Sequence, residues 1–331
     1  MKVDFHFHLE EGPYSLDWLK RTSQAIVQSS LDSDIRMKKN TLKWIEQISA
    51  SLNKRIEEGC FSEDWILRYL NKGISRGIKN FGIVDHLYRF TEFKAFYEKY
   101  MLVDDSLLGQ LQREWLDNVC TYSIEDFLAG VRKVANTRED LSIGVEADYF
   151  LGADEDLKAL LASYELDYVI GAVHFNEGWG FDNREAKERF EQVDLLELYQ
   201  KHFHVVRQAI ASGLFDFVAH LDNMKVFGYR PDESLLIPYY TKVAVALKKA
   251  NIATEINTGL AYRYPVKEMC PSPLFLQILF DHQIPITLSS DAHFPDDIGT
   301  QLDEAVNLAK QVGYKEIVYF KNRQKFVLPI G

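Results

Sequence analysis

Short β-rich apolar runs alternate along the chain with longer segments whose apolar residues fall three and four apart. The runs are Lys2–Leu9 (KVDFHFHL), Phe81–Leu87 (FGIVDHL), Ser142–Phe150 (SIGVEADYF), Tyr168–Phe175 (YVIGAVHF), Phe215–Leu221 (FDFVAHL), Ile252–Gly259 (IATEINTG) and Ile284–His293 (IPITLSSDAH). Several are almost continuously apolar, as expected of strands covered on both faces of a parallel sheet. The spacing predicts helices over Asp154–Tyr164, Arg184–Ser212, Asp232–Ala250, Pro273–His282 and Thr300–Gly313. Strands alternating with helical crossovers imply a parallel α/β architecture. The series of strands therefore predicts a distorted (β/α)7 TIM-like barrel, closed or nearly so.

Two connections are too long for loops. Glu10–Asn80 and Tyr88–Leu141 are rich in Lys, Glu, Leu, Trp and Tyr at helical spacing, and we expect them to be helical excursions around the barrel. In such folds insertions build the rim of the active site. The end of the chain (EIVYFKNRQKFVLPIG) predicts a hairpin turning at Lys321–Gln324. With no repeats or Pro/Gly/Ser-rich linkers, one barrel domain is expected over residues 1–331.

The histidines then give the pattern chemical meaning. Of nine, His202, His204 and His282 lie in helical segments and read as packing or surface residues. His6, His8, His86, His174, His220 and His293 all lie at or just past the C-terminal end of a predicted strand, and the two remaining strands deliver Glu146 and Glu255. In barrels of this kind those ends converge on the face where active sites lie. His6 and His8 are two apart and share a face of their strand, as do Asp291 and His293. Imidazole and carboxylate together suit Zn, Fe or Mn. The set exceeds the needs of one tetrahedral ion, so two or three divalent ions sharing a bridging carboxylate are expected. Such a centre clamps anionic substrates and acidifies water.

Composition narrows the picture. The formal net charge is −11, against a nucleic-acid surface, although several divalent cations would reverse the sign locally. Three distant cysteines, Cys60, Cys120 and Cys270, show no metal-type spacing and fit a reduced compartment. No apolar run is long enough to span a membrane, and MKVDFHFHLEEG lacks a signal-peptide apolar region, so a cytoplasmic location is expected.

These motifs resemble the PHP (polymerase and histidinol phosphatase) family, and its histidinol-phosphatase branch in particular. VDFHFH resembles the opening HxH motif, GIKNFGIVDH the second motif and GVEADY the strand with the bridging glutamate. DYVIGAVHF with GWGFD, then VAHLDNMKVFG, EINTGLAYRYP and SSDAH, complete the order along most of the chain. The amidohydrolases share HxH, but they typically place a modified lysine on a middle strand and a solitary aspartate on the last; Glu146 and Asp291-Ala-His293 favour PHP. The resemblance implies a first metal site of His6, His8, Glu146 and Asp291, a second of Glu146, His174 and His220, and a third with His86 and His293. The family usually has one more histidine soon after HxH, where this chain has Leu9-Glu10-Glu11; Glu10, ahead of Glu11, is expected to replace it.

The resemblance also implies hydrolysis of a small phosphate ester, L-histidinol phosphate, with Glu146, Asp291 and His293 at the reaction centre. A PHP phosphoesterase acting on a nucleotide or another small ester is the alternative. A non-enzymatic metal-binding domain is disfavoured because nearly every ligand position is filled. Arg263, Lys225 and Arg184 are the cations expected to bind phosphate, Arg263 first because a guanidinium makes bidentate phosphate contacts. His293 or Asp222 is the candidate proton donor to the leaving group. Trp and Tyr residues of the excursions are candidates for a lid over an imidazole-bearing substrate.

Overall fold

The structure, a computed structural model, describes residues 1–29 and 39–330. Residues 30–38, part of the first expected excursion, lie outside the described residues. In chain order β1 (Lys2–His8) is followed by α1 (Leu16–Ser29), α2 (Leu42–Glu58) and α3 (Glu63–Ser75). Then come β2 (Ile78–Val84), α4 (Lys94–Tyr100), α5 (Leu107–Val119), α6 (Ile124–Ala135) and β3 (Leu141–Asp148). Next are α7 (Asp154–Leu161), β4 (Tyr168–Ala172), the two-residue strands β5 (Phe175–Asn176) and β6 (Trp179–Gly180), α8 (Leu195–Ala211) and β7 (Phe217–Val218). The last part holds α9 (Ile237–Ala250), β8 (Ala253–Asn257), α10 (Gly259–Arg263), α11 (Pro273–Asp281), β9 (Ile286–Ser289), α12 (Leu302–Val312), β10 (Glu316–Lys321) and β11 (Gln324–Pro329).

Seven strands form one parallel sheet in the order β1-β2-β3-β4-β7-β8-β9. The segment after β9 returns to β1 through Asp291 N–H to His6 O (2.8 Å) and His8 N–H to Ala292 O (2.7 Å). The sheet therefore nearly closes into the expected barrel. Every residue of β3, β4, β7, β8 and β9 is buried, which is why these strands read as unbroken apolar runs. The hairpin β10–β11 turns through Asn322 and Arg323, both with positive φ (50° and 60°), the backbone a two-residue hairpin turn requires. It packs Phe320 against Phe217 and Tyr168, and Ser142 donates to Phe320 O, so it closes the end of the sheet opposite the histidines.

The departures from the expected elements have local causes. Asp194 accepts from Glu197 N–H and starts α8 afresh, so the expected Arg184–Ser212 helix splits into a 3-10 segment (Arg184–Gln192) and α8. Pro238 near the start of α9 likewise separates it from a 3-10 turn at Glu233–Leu236. The last strands end earlier than their apolar runs because His220 (φ 24°) and Asp291 (φ 52°) leave the extended conformation. The pairing of β5 with β6 and the short helix α10 carry no periodic signal and were not expected.

Candidate metal centre

The C-terminal strand ends bring His6, His8, His86, Glu146, His174, His220, Asp291 and His293 together. His6 Nε2 and His8 Nε2 lie 3.1 Å apart, both face Glu146 Oε2 (3.2 and 3.4 Å), and Asp291 Oδ1 is 3.4 Å from His8 Nε2. The other carboxylate oxygen, Glu146 Oε1, is 3.0 Å from His220 Nε2 and 3.7 Å from His174 Nε2. His86 Nδ1 lies 2.7 Å from Glu146 Oε2. Glu146 thus stands between two groups of imidazole nitrogens.

The local fold accounts for this convergence. Alternation on β1 puts His6 and His8 on one face. His220 and Asp291 hold left-handed backbone, a conformation that costs non-glycine residues about 1–3 kcal/mol and is common at functional sites. Gly259 permits the close approach of Asp291: a Cβ there would lie 2.8 Å from Asp291 Oδ2. Asp4, fully buried, ties the end of β9 in place by accepting from Ser290 N–H (2.9 Å) and Gly299 N–H (3.0 Å).

A second layer orients the imidazoles. His6 Nδ1 lies 3.1 Å from Glu255 Oε2, and His174 Nδ1 lies 2.8 Å from Asp148 Oδ1. Each carboxylate accepts the Nδ1–H and turns Nε2 into the cluster, the arrangement found behind metal-ligating histidines. Glu255 also accepts from His220 N–H (2.9 Å) and Ser289 Oγ (2.5 Å). Glu255 had been placed at a strand end by sequence without a role. Asp148 was missed, although its position two residues after Glu146 puts both on one face of β3.

The electrostatics favour positive charge at the centre. Burial opposes the His6 imidazolium, yet Glu146, Glu255 and Asp291 hold its pKa well above the ordinary value. Burial likewise opposes His174, but Asp148 and Glu146 lift it to about 10. Glu146 and Asp291 resist burial and stay well below the usual carboxylate range because of the surrounding imidazoles. Burial pushes His86 down to about 4 against the pull of Glu146. Such a donor set, with His8 Nδ1, His220 Nδ1 and Glu146 Oε2 buried without hydrogen-bond partners, suits metal cations. His6-His8-Asp291, His86-Glu146-His174, His8-His86-His293 and His6-His220-Glu255 each gather ligand atoms within 4.8 Å of one another.

The two glutamates after HxH part company. Glu10 is not at the centre, contrary to expectation. Its carboxylate is buried against Arg55 (2.6 Å), accepts from Trp18 Nε1 (2.9 Å) and from Glu11 N–H (2.9 Å), and so is spent on holding the chain. Glu11 instead lines the cleft, 3.6 Å from His293 Nδ1 and 3.2 Å from Arg263.

The expected cations also separate. Arg263, carried by α10, lines the cleft and donates to Asp291 O (2.9 Å), with its guanidinium 2.7 Å from His293 Nδ1. Arg184 lines it too, and both guanidinium carbons lie near the Tyr264 ring (5.5 Å for Arg263, 5.7 Å for Arg184). Lys225 does not reach the cleft. It is fully buried, and its ammonium is bound by Asp222 (2.8 Å), Glu268 (2.6 Å) and Met269 O (2.7 Å). Asp222 shares that closed network and also accepts from Ser272 N–H, which removes it as a proton donor. The cleft itself has a volume of about 780 Å³ and exposes His86, His174, His220, Asp291 and His293.

A sequence model of the PHP domain matches residues 61–259 of the chain. The chain belongs to the PHP family. A relative from Deinococcus radiodurans, named "Probable histidinol-phosphatase", is 32% identical over 212 residues, spanning 62% of this chain and 80% of its own. One of the same name from Clostridium acetobutylicum is 24% identical over 190 residues, 56% of this chain and 72% of its own. The crystal structure of histidinol phosphate phosphatase from Lactococcus lactis, complexed with zinc, L-histidinol and phosphate, aligns with a TM-score of 0.62 at 15% identity over 98% of both chains. That likeness shows a shared fold that includes the first and last strands, which the family match leaves out. Among the described residues no helix is long and apolar enough to cross a membrane.

Proposed function

We propose that this PHP chain is a metal-dependent phosphomonoesterase that hydrolyses L-histidinol phosphate to L-histidinol and phosphate. The observation that carries the reading is Glu146, whose two oxygens face separate imidazole groups, and three of those imidazoles, His86, His174 and His220, line an open cleft. Family membership and the names of the relatives supply the substrate.

In this reading His6, His8, Glu146 and Asp291 hold one divalent ion, and Glu146, His174 and His220 hold a second. His86 and His293 contribute to a third, with Glu11 rather than Glu10 the nearby carboxylate. Zn, Fe and Mn all suit these ligands. Bound ions supply Lewis-acid charge stabilisation for the phosphoryl group and an acidified water. The chain's own residues do the rest. Glu255 and Asp148 hold His6 and His174 in the required tautomer. Arg263 and Arg184, on the cleft wall, bind the phosphoryl oxygens and set the ester in line, so that rate comes from positioning and charge stabilisation. Asp291 O, 3.0 Å from His293 Nδ1, would accept the Nδ1–H and leave the Nε2 lone pair for an ion. The whole described barrel works as one domain whose location is the cytoplasm.

Steady-state kinetics over a panel of phosphate esters tests the proposal. A kcat/KM for L-histidinol phosphate at least tenfold above that for nucleotides and sugar phosphates is expected. A preference for nucleotides would replace it with the nucleotide-phosphatase alternative.

A further inference from the structure

The cleft extends beyond what a phosphate needs. Its outer part is built by α5, which the sequence alone shows only as part of an excursion. Buried Gln112 staples this helix to the small β5–β6 hairpin: its side chain donates to Gly178 O (2.9 Å) and Leu102 O (2.7 Å) and accepts from Gly180 N–H (2.7 Å). Glu114 and Trp115, on the same turn, are thereby held at the cleft.

The inner and outer parts differ chemically. The Tyr88 ring stacks on His86 (centroids 4.5 Å apart, 17°) and meets Trp115 at 4.7 Å, so aromatic surface runs from the candidate metal ligands out to α5. Glu114 also lines the cleft, and among the described residues it is in no ion pair with a Lys or Arg. The cleft's arginines gather instead around Tyr264. One region thus suits an anion. The other offers aromatic faces and the Glu114 carboxylate, which together attract a planar or compact cation.

We infer that Trp115, with Glu114, forms a specificity wall that selects phosphate esters whose alcohol carries a cationic nitrogen group, favouring them over esters of neutral alcohols. This inference rests on the phosphatase reading. Phosphate and metal interactions are common to all esters, so discrimination has to come from contacts to the leaving group. An imidazolium or ammonium over the Trp115 ring supplies such a contact, strengthened by the neighbouring Glu114 carboxylate.

The test is the ratio of kcat/KM for L-histidinol phosphate to that for glycerol 1-phosphate, an ester with a neutral, non-aromatic leaving group. It is measured for the metal-loaded wild-type protein, Trp115→Ala, Trp115→Phe and the surface substitution Glu114→Gln. The wild type is expected to favour L-histidinol phosphate. Trp115→Ala should lower the ratio about tenfold, chiefly through KM, and Trp115→Phe should restore most of it. Glu114→Gln should lower it about threefold and supports the wall even if Trp115→Ala fails to fold. Equal losses on both esters, or an unchanged ratio in Glu114→Gln and Trp115→Ala, would overturn the wall. A wild type that hydrolyses both esters without preference overturns the wall and leaves the phosphatase reading standing. A wild type that hydrolyses neither overturns both.

Discussion

Two buried clusters of charge lie within a few residues of each other on β1 and its continuation, and they are built on opposite principles. At the end of the strand, His6 and His8 face Glu146 and Asp291. Just beyond, Glu10 meets Arg55, which is packed over the Trp65 ring at 4.7 Å and is the one buried residue among those of α2. The Glu10 carboxylate has its complement within the protein: an opposite charge at 2.6 Å and further donors from Trp18 and the backbone. The Glu146 cluster consists of lone-pair donors that crowd one another, and a cation is the complement we propose for them. Adjacent glutamate side chains thus serve different ends: Glu10 is buried on Arg55, away from the cleft, whereas Glu11 lines the cleft and meets Arg263 (3.2 Å) beside His293. The lesson is that burial of a carboxylate does not mark a metal ligand; what surrounds its oxygens does.

Breaking each cluster should give a different signature. Glu146→Gln should lower kcat by about a thousandfold or more, the scale of removing an electrostatic stabiliser from a reaction centre, with metal content falling in parallel by elemental analysis and little change in the fold by circular dichroism. Arg55→Ala should do the reverse. It leaves Glu10 buried without its partner and should cost about 3–5 kcal/mol in urea unfolding, while the double substitution Glu10→Gln/Arg55→Met should recover much of that. Equal loss of stability in the single and double variants would show that Arg55 acts by packing rather than by charge.

Asp148→Asn separates the two layers of the metal centre. It spares every candidate ligand but weakens the hold on His174, so metal affinity measured by titration should fall about 10–100-fold. At the small end, Ser272→Ala removes the cap that accepts from Phe275 N–H at the start of α11, away from both clusters. It should cost about 1 kcal/mol of stability and leave kinetics on the phosphate ester unchanged.

The first cluster was legible in the sequence and the second was not. Periodicity located the strands, and strand ends located His6, His8, His86, Glu146, His174, His220, Asp291 and His293, because a parallel barrel turns position along a strand into position in space. Glu10 was placed by the resemblance instead, as a substitute for the histidine the family usually has after HxH, and it lies elsewhere. The partner that captures it, Arg55, is 45 residues away on a helix whose packing no local pattern reveals. Lys225 failed for a similar reason: Glu268, 43 residues on, closes over it. Asp148 was open to inference from two-residue alternation on β3. The Trp115 wall was not, since it depends on Gln112 bonding to a hairpin that has no periodic signal. Motifs carried on strands declare themselves; contacts made by helical excursions have to be seen.

The most direct test of the account is the metal stoichiometry of the purified chain, read by elemental analysis alongside Glu146→Gln. Two or more divalent ions per wild-type chain, with loss of more than one ion on the single substitution, is the result expected of a carboxylate that bridges. A wild-type chain that binds one ion or none, or a Glu146→Gln variant that keeps its full complement, would contradict it.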